Sequence, residues 1–361
     1  MEETPMFHKD LVLLEKPQIN LARSTAARMW GVSLCAGMTI LQSALTDSYR
    51  SVIIALTAVA SAAAVELLIF FKTKKLTLGD GSTVASILIF SLLLPNHIHP
   101  VIAALGAVFA MAVVKGSFGG LGTNWVNPAL GGWFFIRFSW PVLFDNALKG
   151  SPLTILSENL SRGFSDPLGS PMGILKISGA AGNALDNVLT SFLNNTIFSI
   201  THTDLSEGYM ELFFMTREGI IADRGLAAFL LGSIIITASQ VNRSWVPGVF
   251  LGVYAVFVRI FGALPLGGPL GQGDLLFGLL TGGTLTAAFL LVADPVTGPN
   301  SNIGALIAAV LGGFFTFLFK YKGNEPYGAF FAVFLLNALM PLIRNMENRF
   351  LSRKRRAPWG G

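Results

Sequence analysis

The sequence predicts an all-α polytopic membrane protein, with about ten transmembrane helices arranged as two inverted five-helix repeats. Three observations carry this reading. Of 361 residues, 52% are hydrophobic and only 12% charged, a balance that suits lipid rather than water as the solvent. Several apolar runs approach the roughly 20 residues that a spanning helix needs. Proline-ended strings also recur at an offset of 200: SILIFSLLLP ends at Pro95 and LTAAFLLVADP at Pro295, while GGWFFIRFSWP ends at Pro141 and AVFLLNALMP at Pro341.

Residues 1–28 are mixed polar and charged with Pro17 among them. They lack the short basic start and apolar core of a secretory signal, so no cleaved peptide is expected and the segment reads as cytoplasmic. The first repeat occupies 29–143, with apolar runs over 29–46, 51–71, 82–95, 98–116 and 128–143. A polar insert over 144–224 follows. The second repeat occupies 225–343, with runs over 225–240, 246–266, 275–293, 302–319 and 327–343, and 344–361 reads as a basic cytoplasmic tail. Five helices per half is an odd number, so the halves enter the membrane from opposite sides.

Charge supplies an independent test of this topology. One face would carry Lys16, Arg23, Arg28, Lys72, Lys74, Lys75, Lys115, Arg243, Arg344, Arg349 and the run Arg353-Lys354-Arg355-Arg356, whereas short loops on the other carry Arg50, Lys320 and Lys322. The positive-inside rule then makes both termini cytoplasmic and the insert external, in a cell inner membrane. The net charge of +5 sits beside apolar segments and is not a nucleic-acid signal. Cys35 is the single cysteine, which excludes an intrachain disulfide and a Cys-ligated metal or iron–sulfur site. His97 and His99 flank a short external loop without a third ligand, so no metal is expected.

The third helix of each half is unusual. One opens on Gly79-Asp80-Gly81-Ser82-Thr83 and the other contains Thr281-Gly282-Gly283-Thr284. Glycine-interrupted segments at matching positions point to a cavity near the membrane midplane, because irregular backbone survives there only where it lines one. The alternative is close helix packing through glycine, as Gly248 and Gly252 would also provide. Candidate cavity or ion-path residues are Glu66, Asp80, Gly81, Ser82, Asn127, Pro128, Asp294 and Pro295. Glu66 is either a cation ligand or the partner of a lysine one or two turns away. Asp294-Pro295 reads equally as a helix cap and turn.

Particular strings also resemble a known family. PQINLARST (17–25), LGDGST (78–83), FGGLGTNWVNPALGG (118–132), LVADPVTGPNSNIG (291–304) and YGAFFAVFLLNALMPLI (327–343) together resemble the RnfD/NqrB family of membrane subunits from Rnf and Nqr complexes. The resemblance implies a membrane subunit of an ion-translocating oxidoreductase that passes electrons among ferredoxin, NADH or quinone while moving Na+ or H+. Its partners would be the other membrane and peripheral subunits of such a complex and the lipid bilayer, with no nucleic acid. It also implies an inverted five-plus-five fold similar to that of urea channels.

Family members carry FMN joined through its phosphate to a threonine, in a motif resembling Asp-x-x-Ser-Gly-Ala-Thr. Ser178, Gly179 and Ala180 match that motif, but Leu175 stands at the aspartate and Ala181 at the threonine. Alanine offers no oxygen for a phosphoester. Where the family resembles Gly-Glu-Thr-Ser before helix six, this chain reads Ala222-Asp223-Arg224-Gly225. FMN or riboflavin, if present, is therefore expected without a covalent bond. Arg137, Arg259 and Arg224 would lie in the outer half of the membrane, where guanidinium forks suit a flavin phosphate. Snorkelling, or pairing with acids such as Asp223, is the competing explanation. Three functions remain open at this stage: a flavin-retaining redox-complex subunit, a flavin-free scaffold, and a channel or transporter for a small polar solute.

Overall fold

A computed structural model describes residues 24–46, 49–73, 78–117, 124–149, 184–198, 209, 212–213, 219–239, 243–266, 268–294, 296–299, 301–323 and 325–356. The attachment-motif residues Ser178, Gly179, Ala180 and Ala181, and also Pro295, lie outside them. Among the described residues the chain is all helical. In order come α1 (Thr25–Thr46), α2 (Arg50–Thr73), α3 (Ser82–Leu92), α4 (Pro100–Phe109, continuing in π form over Ala110–Gly116), α5 (Pro128–Ser139), α6 (Pro141–Lys149) and α7 (Ala184–Leu193). Then follow α8 (Ile221–Arg224), α9 (Leu226–Ala238), α10 (Trp245–Phe261), α11 (Leu275–Leu280), α12 (Thr284–Thr286, continuing in π form over Ala287–Val292), α13 (Asn302–Phe317, continuing in π form over Leu318–Lys322) and α14 (Gly328–Arg356).

Four stretches, Thr25–Thr46, Arg50–Phe71, Asn302–Lys322 and Gly328–Arg349, are long and apolar enough to cross a membrane. Large apolar side chains stand outward along the helices, among them Leu45, Leu56, Phe71 and Phe138. An exterior of this kind fits lipid, and with the long apolar helices it makes the chain a polytopic membrane protein. Two helix pairs pack closely, α2 along α4 and α10 along α13, and α1 packs across α8 and α9. That crossing needs small residues. A Cβ on Gly232 would stand 2.4 Å from Cys35 Sγ, and one on Gly225 would stand 2.2 Å from the Thr39 carbonyl oxygen. Trp133 anchors the other side. It is fully buried, donates from Nε1 to the Leu93 carbonyl at 3.0 Å, and meets Phe144 and Phe330 edge to face.

Several sequence expectations are corrected. The fifth apolar run does not continue to residue 143, because α5 stops at Ser139, Trp140 leaves helical geometry, and Pro141 starts α6. Ile221–Arg224, the last residues of the expected insert, are helical and buried against the body. Helix α14 runs through Pro341 to Arg356, into the expected tail; a proline inside a membrane helix is tolerated when neighbours satisfy the freed carbonyl. The eighth apolar run is two helices, α11 and α12, separated by Thr281-Gly282-Gly283. Gly248 and Gly252 do not mediate close packing, since nothing lies within 4 Å of a Cβ at either. Finally, Lys115 and Lys320 are not loop charges that mark a membrane face. Both are buried within the body.

Candidate functional site

The break between α11 and α12 is the most polar place in the buried body. Thr281 is extended (φ −122°), and Gly282 and Gly283 both have positive φ, 67° and 65°. That backbone separates the C-terminal carbonyls of one helix from the N-terminal amides of the next, leaving both sets without helical partners. In a water-free interior those groups must be met by the protein. Asp223 meets the amides: its two carboxylate oxygens accept from Gly282 N at 2.8 Å and Gly283 N at 2.9 Å. Lys320, at the π-helical end of α13, meets the carbonyls. Its ammonium donates to Gly278 O and Thr281 O, both at 2.8 Å, and lies 3.3 and 3.2 Å from the Thr281 and Thr284 hydroxyls. The Tyr254 ring stands 5.8 Å from the same nitrogen. An anion at a helix N-terminus and a cation at a C-terminus complement the helix dipoles, and here one break holds both.

A simpler form of this device occurs at the start of α3. Gly81 (φ 72°) caps α3, and the Asp80 carboxylate accepts from Ser82 N at 2.7 Å. Lys115, at the π-helical end of α4, donates to Ser82 Oγ at 2.9 Å and Thr83 Oγ1 at 2.8 Å, within Coulombic reach of Glu66 and Asp80. Beside it lies a cavity of about 50 Å³, large enough for a water or two, lined by Arg28, Lys115, Asn124, Asn127, Pro128 and Asp294 among others. Asn127 donates from Nδ2 to Asp294 Oδ2 at 3.0 Å, which ties the start of α5 to the end of α12 across the halves. Asp294 also accepts from Val296 N and Thr297 Oγ1. It is thus both the turn cap read from the sequence and a cross-half link. Asn124 Oδ1 is buried there without a hydrogen-bond partner among the described residues.

Glu66, Asp80, Gly81, Ser82, Asn127, Pro128 and Asp294 are therefore gathered around Lys115 and its cavity. The three arginines are placed differently. Arg137 meets Glu325 at 3.4 Å and Asp145 at 3.5 Å, with its guanidinium over the Phe144 ring. Burial pushes the Glu325 carboxyl above the usual carboxylate range, and the neighbouring Arg137 pulls it back. Arg259 donates to the Gly273 carbonyl at 3.4 Å. Arg224 is 1% exposed within α8, and the adjacent Asp223 faces the glycine break. The readable signal for Lys115 and Lys320 was a lysine closing a long apolar run.

The chain is matched by a known family over nearly its whole length. The NQR2, RnfD, RnfE family matches residues 12–351. The chain belongs to this family. Both breaks, both lysines and Asp223 fall inside the matched span. Among its relatives is the RnfD-type component of the proton-translocating ferredoxin:NAD(+) oxidoreductase complex of Clostridium ljungdahlii, 27% identical over 95% of this chain and 96% of the relative. The corresponding component of the Na(+)-translocating ferredoxin:NAD(+) oxidoreductase complex of Acetobacterium woodii is 25% identical over 92% of each. That of the ion-translocating oxidoreductase complex of Vibrio cholerae is 28% identical over 92% of this chain and 96% of the relative.

Proposed function

We propose that the chain is the RnfD-type membrane component of an Rnf/Nqr-type complex that couples electron transfer between ferredoxin or NADH and an acceptor to movement of Na+ or H+. What carries the reading is a helix break with buried charge at corresponding places in both halves, within a chain matched almost end to end by the equivalent components of such complexes. Irregular backbone at membrane depth is costly unless it serves a polar path. In the proposed topology ten spans form two inverted five-helix halves, similar to urea channels, with both termini on the cytoplasmic side of the inner membrane. Its support is positional. Gly81 and Lys115 lie beside the start of α1, where Trp30 packs on Gly81, whereas Gly283 and Lys320 lie beside the start of α8. An inverted repeat would place these two sites toward opposite faces.

The test is co-purification. A tagged chain solubilised from its native membranes should carry further membrane and peripheral redox subunits, and its deletion should abolish ferredoxin-dependent NAD+ reduction. A chain recovered alone, with that activity intact in the deletion strain, would favour a solute channel or transporter.

Flavin belongs to the proposal only in a restricted form. Ala181 has no oxygen to esterify, so the covalent attachment of the family does not fit this chain. A flavin bound without that bond would supply electron transfer, while the protein's part is to hold and orient it. Arg259 is the best placed of the three arginines. Its carbonyl contact is long at 3.4 Å, whereas Arg137 is already met by two carboxylates. In a denaturing gel under ultraviolet light the chain should show no fluorescence, and acid extraction of the native protein should release flavin that Arg259→Leu reduces. Gel fluorescence would overturn the restriction; an extract without flavin would leave the scaffold role.

A further inference from the structure

We infer that the break between α11 and α12 is a binding site for a small monovalent cation, and that the Lys320 ammonium is its tethered occupant. Four oxygens surround that nitrogen at 2.8 to 3.3 Å: two main-chain carbonyls from the end of α11 and two threonine hydroxyls. Carbonyls of an interrupted helix, supplemented by hydroxyls, are the ligand set with which membrane proteins replace the hydration shell of an alkali cation. The remaining surroundings also suit a cation. Tyr254 presents its ring face to the nitrogen and donates its own hydroxyl to Gly278 O at 3.1 Å, and Asp223 supplies a countercharge across the break.

The cage is not a by-product of burying a lysine. A lysine needs at most three acceptors, and its cheapest position in a membrane protein is at the interface, reached by snorkelling. Lys320 is instead 0% exposed and turned inward. The backbone that forms the cage is held open by two left-handed glycines rather than by the lysine itself. The occupant can therefore be separated from its site. A free ion enters this break only when the ammonium leaves, so Lys320 acts as a built-in competitor for the position.

The inference deepens the ion-translocation reading, but its test does not depend on activity. Lys320→Ala empties the cage: its carbonyls keep the hydroxyl donors of Tyr254 and Thr284 but lose their cation. The complex carrying this variant should unfold at a temperature that depends on the cation supplied at constant ionic strength. Methylammonium, potassium or sodium should each be tried against choline, which is too large to enter. A rise of several degrees with a small cation over choline, absent in the unsubstituted chain and abolished by adding Asp223→Asn, is the expected result. If Lys320→Ala fails to accumulate, the same comparison is made on yield, with methylammonium in the growth medium and solubilisation buffer. Stability or yield that is the same in all four salts overturns the site. That failure would leave co-purification untouched, so it is distinguishable from failure of the complex assignment.

Discussion

Asp223→Ala is expected to destabilise the chain by about 3–5 kcal/mol, the usual cost when a buried charge loses its opposite. Asp223 is 4% exposed and holds both amides of the glycine break, while Lys320 across the break is fully buried. The alanine variant leaves two buried N–H groups without an acceptor and removes the countercharge of a buried ammonium, which keeps only its neutral oxygen partners, in an interior where water does not replace what is lost. Asp223→Asn should fall between the alanine variant and the parent, because its single carbonyl oxygen can accept from one amide while its NH2 faces the other. Thermal unfolding in detergent, followed by fluorescence-detected size exclusion, measures the order directly. Parental stability in the alanine variant would mean that the break is satisfied in some other way.

Gly282→Ala is expected to lose most of the folded protein, and to do so more severely than Gly81→Ala. Gly81, Gly282 and Gly283 sit in the left-handed region, where a side chain costs about 1–2 kcal/mol in backbone strain alone. What separates them is their surroundings. A Cβ on Gly282 would lie 2.3 Å from the Pro326 carbonyl oxygen, which is main chain and cannot swing away, and one on Gly283 would lie 2.3 Å from the Phe330 ring. The same atom on Gly81 meets the Trp30 side chain at 3.0 Å and asks for only a small shift. Gly248→Ala, with open space around it, serves as the neutral control. Equal unfolding temperatures for the Gly81 and Gly282 variants would contradict this ranking.

Legibility from sequence followed the length scale of the interaction. The apolar runs of α1, α2, α13 and α14 were readable because transfer into lipid is set residue by residue and simply adds along the chain. The glycine turns at 79–83 and 281–284 were readable because backbone freedom is a property of the glycine itself. Boundaries were less legible. Pro341 is carried inside α14, whereas Pro141 divides α5 from α6, and the same residue type gave opposite outcomes because neighbouring helices, not the local string, decide whether a freed carbonyl is satisfied.

The sequence by itself therefore determined that this chain lives in lipid and that its apolar runs are interrupted at glycine near residues 81 and 282. Only the tertiary structure decided where the charges go. Lys115 and Lys320 look like interfacial lysines in the linear string, and Asp223 like part of a polar insert. Folding brings Lys115 onto the start of α3, Lys320 onto the break between α11 and α12, and Asp223 onto Gly282 and Gly283. A charge is buried only where unmet donors or acceptors from a distant segment repay its lost hydration, and that pairing exists only once the helices have packed.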